Sequence, residues 1–337
     1  MHVVIIGFSK AGRSKTRVIY EYPDGKGEPI ARLTDHINFY LQGHATAPAK
    51  RYEPLLSGLP TASKGSQPTD GGQLIVEPAD YDEVVADPIA SKYLRPFRQA
   101  TEMLHDRPRW CLWLVDAPPS DLRTSAIIKA RIMAVARSRS ASKTASVREK
   151  ARTPALFTQI RQPARRYLAL PEVSSKNRDY IPARYYDPEV IAGNKLILWP
   201  DAPLWLFGYL QSAAFMAWVR AFAGRMKSDF SISPSTVYFT FPFVRPTGAA
   251  LGRVEYAALA VLDARETHAG ESLADLYDPL VMPRDLRKAH GRLDSLIDGL
   301  YRLRTPTEAE RLSRLGAEYA ALTTPLETIS TRRRRLS

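Results

Sequence analysis

"LWLFGYLQSAAFMAWV", Leu204 to Val219, is followed closely by "GRMKSDFSIS", Gly224 to Ser233. The first stretch decides the fold class. It is almost wholly apolar, yet shorter than the ~20 residues a membrane span needs. Gln211 and Ser212 also interrupt it. The pattern predicts a buried core helix. The second stretch sets Lys227 and Asp229 two apart around Ser228. In extended backbone, residues two apart point the same way. Lysine donates to guanine O6 and N7, and aspartate accepts from cytosine N4, so such a pair matches one G·C base pair. The plain alternative is a surface salt bridge of little energetic weight. Residue types alone leave both open.

Working outward, the chain has 337 residues, 45% hydrophobic and 25% charged, enough for two domains or one with an appendage. Lys and Arg total 48 against 35 Asp and Glu, a net charge of +13. That excess suits a polyanion, nucleic acid before an anionic membrane surface; solubility alone is the bland reading. Cys111 is the single cysteine, which excludes an intrachain disulfide and a Cys-based zinc site. The six histidines are scattered without H-x-x-x-H spacing, so metal chemistry has no support. No signal-peptide pattern opens the chain, and the expected location is the cytoplasm, with no membrane partner.

The start, "HVVIIGFSKAGRSKT", His2 to Thr16, predicts a buried strand and a turn. Gly7–Ser14 approaches a phosphate loop with Arg13 in place of its lysine, and Gly7–Ala11 approaches a nucleophile elbow around Ser9. Both need a helix next. Instead Val18, Tyr20 and Tyr22 alternate into "PDGKGEP", a β-hairpin. An opening strand without a lead-in suggests the back part of something larger. Residues 44–73 are rich in Pro, Gly and Ser and predict a linker. "LIVEP" and "RWCLWLVDAPP" predict strands, and "YDEVVADPIASKYLRPF" one or two short helices. Asp121–Arg152 predicts one long basic helix with Ile127, Ile128, Ile132 and Val135 as its apolar stripe. Arg131, Arg137 and Arg139 on it are candidate phosphate contacts. "VSSKNRDYIP", Val173 to Pro182, predicts a donor-rich turn, its candidates being Ser174, Ser175, Lys176 and Arg178. "GNKLILWP" predicts a strand, "STVYFTFPFVRP" an extended segment, and the chain from Gly252 onward helices, one opened by Pro283 with Leu286, Ala289, Leu293 and Ile297 on its face. "TRRRRLS" predicts a frayed end.

Catalytic motifs are missing: no G-x-G-x-x-G, H-E-x-x-H or G-x-S-x-G, and no Asp/Asn/Ser-Pro-Pro-aromatic loop. "DAPP", Asp116 to Pro119, comes near the last, but Ala117 separates the acid from the prolines. On its residues the chain is a binder more readily than a catalyst.

The succession of "RWCLWLVDAPP", "SSKNRDYIP", "AAFMAWVRAFAGRMKSDFSISPSTVYFTFPF" and "SLADLYDPLVMPRDLRKAHGRLDSLIDGLY" resembles the C-terminal part of MmeI-like type IIL restriction-modification enzymes. Those are large single chains carrying a nuclease, a helical connector, an adenine-N6 DNA methyltransferase, a target-recognition domain and a helical C-terminal domain. The resemblance implies a mixed α/β (α+β) fold: a methyltransferase-sheet remnant over residues 1–60, a target-recognition domain over 61–246 and a helical domain over 247–337. It implies sequence-specific double-stranded DNA binding, with Lys227 and Asp229 reading bases and Arg225 and Ser228 contacting DNA beside them. The apolar helix then becomes the rigid support of the reader. The S-adenosylmethionine loop and the catalytic loop lie upstream in the family, so the chain alone is expected to bind no cofactor and to be inactive as a methyltransferase. A truncated frame, a relic and a split enzyme all fit. The alternatives are a specificity subunit working with a separate methyltransferase polypeptide, and a non-specific basic nucleic-acid binder.

Overall fold

The protein was analysed as a computed structural model, which describes residues 5–7, 17–22, 27–38, 41–43 and 47–323. Its centre is a four-stranded sheet in the order Ser63–Lys64, Leu196–Pro200, Tyr167–Pro171, Arg184–Tyr186. The two middle strands run antiparallel, with Leu198 opposite Ala169. Both read as unbroken apolar runs, because the sheet is covered on both faces.

The apolar stretch folds as two helices, Leu204–Leu210 and Ala213–Phe222, rather than one. Gln211 and Ser212 make the break and are themselves buried. The Ser212 hydroxyl accepts from Phe215 N–H and donates to the Tyr209 carbonyl, capping the second helix. Gln211 Nε2 donates to the Ile181 carbonyl at 2.6 Å. Against these pack Gly248–Glu266, Arg284–Leu300 and Glu308–Thr323. Gly208 permits the approach, since a Cβ there would lie 3.3 Å from the Leu293 side chain. One apolar core therefore runs from Leu168 in the sheet to Leu315 in the last helix.

A polar clasp crosses the same junction. Arg265 donates to the Ala183 carbonyl at 2.7 Å, to Gln211 Oε1 at 2.5 Å and to the Tyr277 hydroxyl. That hydroxyl lies 2.8 Å from His290 Nε2, and His290 Nδ1 lies 3.0 Å from the Gln211 carbonyl, so Nδ1 carries the proton. Tyr180 stacks on His290 and donates to Asp294.

A second, smaller core lies under the sheet ordered Ile191–Ala192, Leu94–Arg98, Trp110–Leu112, Ile75–Val76. Cys111 is buried there, and burial pushes its thiol up. The expected long basic helix is broken into Pro119–Thr124, Ala126–Ser140 and Ala145–Glu149. Ser125 forces the first break by capping Ile128 N–H.

Other expectations are met or corrected locally. Arg17–Glu21 and Ile30–Thr34 form the antiparallel hairpin. Ile5 and Ile6 are exposed and outside any strand, against the buried opening strand; the rest of that stretch, with most of Gly7–Ser14, lies outside the described residues, as does "TRRRRLS". Residues 47–62 are no loose linker: Leu59 and Ala62 are buried, and the Pro60 carbonyl accepts from the Tyr238 hydroxyl. Pro234–Tyr238 forms a π-helical turn instead of an extended segment. Among the described residues no helix is long and apolar enough to cross a membrane, and no cluster is suited to a metal.

Candidate nucleic-acid interface

Helix Ala213–Phe222 ends at Ala223, and the chain turns straight into a hairpin, Gly224–Met226 against Asp229–Ser231. Met226 pairs with Asp229, leaving Lys227 and Ser228 as a two-residue tip. Lys227 has φ +57°, and Ser228 does not share the left-handed conformation. A left-handed φ at the first tip residue suits tight hairpins. On a side chain other than glycine it costs roughly 1–2 kcal/mol.

The expected extended geometry is thus corrected. Lys227 and Asp229 straddle a reverse turn instead of sharing one face of a strand. Lys227 is exposed at the tip, and Asp229 is half-buried at the start of the returning strand. Phe230 beside it is buried and anchors the hairpin. Arg225 is exposed, but its guanidinium folds back 4.3 Å over the Phe230 ring and donates to the Arg220 carbonyl at 2.9 Å. It closes the end of the helix, whose last carbonyls favour a cation.

The returning strand also pairs with Val173–Ser174, with Phe230 opposite Ser174. The two stretches singled out in the sequence, 173–182 and 224–233, therefore meet in one three-stranded sheet. Lys176 N–H donates to Asp229 Oδ1 at 3.2 Å, which fixes the loop against the hairpin. Asn177 N–H donates to the Ser175 hydroxyl, and Arg178 N–H to the Ser175 carbonyl. Lys176 and Asn177 are exposed. Ser174 is 2% exposed and its hydroxyl is sealed inside, so it leaves the set of direct DNA contacts. Burial lowers the pKa of Arg178, while the charges of Asp278 and Asp229 pull it back up.

The three arginines of the basic helix lie in the smaller lobe, apart from this sheet. Arg131 donates to the Gln73 and Ile75 carbonyls and pairs with Asp80 at 3.1 Å. Arg139 is 1% exposed and donates to the carbonyls of Thr69, Lys150, Thr153, Pro68 and Leu156. Its donors are engaged inside the lobe, so it cannot meet a phosphate, and Arg131 is held inward too. Arg137 alone is exposed.

A better basic surface was missed. On helix Arg284–Leu300, Arg284, Arg287, Lys288 and Arg292 are all exposed on one face, at i, i+3, i+4 and i+8. That spacing is the signal, opposite the apolar face that drew attention. Arg287 reaches Asp179 at 3.4 Å, joining the stripe to the 175–179 loop.

Two family models match the chain. The family model described as MmeI, target recognition domain matches residues 44–245. The model described as MmeI, C-terminal domain matches residues 248–327. DNA methyltransferase A of Bacillus subtilis (strain 168) is 31% identical over 324 residues, which are 95% of this chain and 36% of that protein. A solved structure of the type IIL restriction-modification enzyme MmeI in complex with DNA superposes with a TM-score of 0.88 at 38% identity, covering 92% of this chain and 42% of that one. The chain thus spans less than half the length of either relative.

Proposed function

We infer that the chain, which belongs to the MmeI family and carries its target-recognition and C-terminal domains, recognises a specific sequence in double-stranded DNA. It is the recognition part of an S-adenosylmethionine-dependent adenine-N6 DNA methyltransferase of the type II restriction-modification kind, acting in the cytoplasm. The observation that carries this is the three-stranded sheet that sets Lys227 and Asp229 beside the 175–178 loop. Lys227 is free to donate to guanine. Asp229 gives one oxygen to Lys176 N–H, so its carboxylate is already oriented, with Oδ2 left for cytosine N4. Lys176, Arg137 and the stripe from Arg284 to Arg292 supply phosphate contacts that position without specifying.

Methyl transfer falls to residues outside this chain. Pro118 and Pro119 of "DAPP" open a helix and form no base-holding loop. In this reading S-adenosylmethionine is bound in the complete enzyme and not by this chain alone. Hairpin Arg17–Glu21/Ile30–Thr34, where Tyr20, Ile30 and Leu33 are exposed, is the surface a methyltransferase partner would cover. An apolar ribbon of this kind gains stability when covered.

The test is retention of random duplex DNA by the purified chain at moderate salt, followed by sequencing. An enriched short motif with one strongly preferred G·C position is expected. Retention without any motif, both alone and with a methyltransferase partner present, would leave only a non-specific basic binder.

A further inference from the structure

The turn between helices Leu273–Leu276 and Arg284–Leu300 projects two apolar side chains into solvent. Leu280 is 92% exposed and Val281 63% exposed, although Tyr277 and Met282 at either end are buried. Hydrogen bonds hold the turn. Asp278 Oδ1 accepts from Leu280 N–H at 2.9 Å, and the Asp278 carbonyl accepts from the N–H groups of Val281 and Met282. The Pro279 carbonyl accepts from Arg287 Nη2 at 3.1 Å. A leucine held rigidly in water forgoes roughly 2 kcal/mol of burial. No part of the described fold covers it.

Its surroundings identify what does. Arg287 holds the turn with one nitrogen and Asp179 with the other. Asp179 ends the loop whose Lys176 is bonded to Asp229. Hairpin, loop and turn are therefore linked in one line. Immediately after the turn runs the stripe of Arg284, Arg287, Lys288 and Arg292. A small apolar tip, with the exposed carboxylates of Asp278 and Asp285 beside it and four cations along the helix that follows, does not match the broad apolar face a protein or bilayer partner buries. It matches a duplex, whose phosphates take the cations while an apolar side chain enters a base step and partly unstacks it.

We propose that Leu280, backed by Val281, is a wedge that enters a base step of duplex DNA held along helix Arg284–Leu300. The proposal rests on the DNA-binding reading above and can fail without it.

The experiment compares binding, by fluorescence anisotropy at low salt, to a short labelled duplex and to the same duplex with a central mismatched, already unstacked step. The unmodified chain should bind the mismatched duplex about tenfold more tightly, because unstacking is part of its cost on the intact one. Leu280→Ser should bring the two affinities to equality, Leu280→Met should keep the preference, and Tyr256→Ser, at another exposed apolar site, should leave it unchanged. Leu280 supports nothing in the fold, so its variants should unfold at the same urea concentration as the parent. Equal affinities in the parent, or a preference that survives Leu280→Ser, would overturn the wedge and leave DNA recognition standing. Binding to neither duplex would remove both.

Discussion

Lys227 joins a strained backbone to the side chain proposed to read a base. They can be separated. Lys227→Gly should raise stability over Lys227→Ala by about 1 kcal/mol, read from urea unfolding, because only the alanine keeps a Cβ in the left-handed region. Both should lose base preference alike. The double exchange Lys227→Glu with Asp229→Arg should switch the preferred base at one position of the enriched motif. An unchanged motif would exclude base reading by the pair. The K-x-D spacing was legible in the sequence, but the turn between its members was not. "GRMKSDFS" has no Asn-Gly or Gly at the tip to announce a two-residue hairpin. Arg139 was misread for a related reason. An arginine on a basic helix looks solvated in one dimension, and only the fold brings five carbonyls around it.

Among elements, the helix opened by Pro283 holds the 175–179 loop with Arg287 on one face and closes the polar clasp with His290 and Asp294 on the other. Burial pushes His290 down to about 3 from 6.5. The folded chain keeps it neutral while the unfolded chain protonates it, so its contribution is full above pH 6.5 and is lost as pH falls toward 3. Burial pushes Asp294 up to about 6 from 3.8, with bonds from Tyr180 and Ala213 N–H opposing. Its contribution is full below pH 3.8 and is lost as pH rises through 6. Between those limits the two slopes oppose and the parent should change little. Asp294→Asn leaves His290 unopposed, so stability should drop by up to ~1.4 kcal/mol per pH unit on going from pH 6 to 4. Thermal unfolding of both proteins across that range measures it. The helix was legible from its apolar periodicity. The clasp was not, since Gln211, Arg265, Tyr277 and His290 are far apart in sequence and none stands in a motif.

At the scale of the molecule, the two cores meet along residues 191–195: Ile191 belongs to the smaller and Ala192 to the larger, Gly193 N–H donates to the Arg98 carbonyl, and Gln99 Oε1 accepts from Lys195 N–H. Gly65 N–H donates to the Leu196 carbonyl and Ser66 N–H to the Ala192 carbonyl. A Cβ on Gly65 would stand 2.4 Å from the Gly193 carbonyl oxygen, a clash that only backbone movement relieves. Gly65→Ala should therefore cost about 2–3 kcal/mol, seen as a lower urea midpoint. Individual strands and the helical end were readable from pattern, and the mixed fold from the family resemblance, but the tight packing at Gly65 was not: "SKGSQ" looks like any flexible connector.

The hairpin that presents Lys227 is rooted by Phe230 and by pairing with Ser174, while Lys227 at its tip takes no part in the core. In the proposed reading, exchanging the Lys227 side chain leaves the roots of the hairpin in place, whereas Asp229 also ties down the 175–178 loop through Lys176 N–H. A lineage reading DNA in this way would change target most cheaply at position 227, and would have to rebuild the tie to the loop whenever it changed position 229.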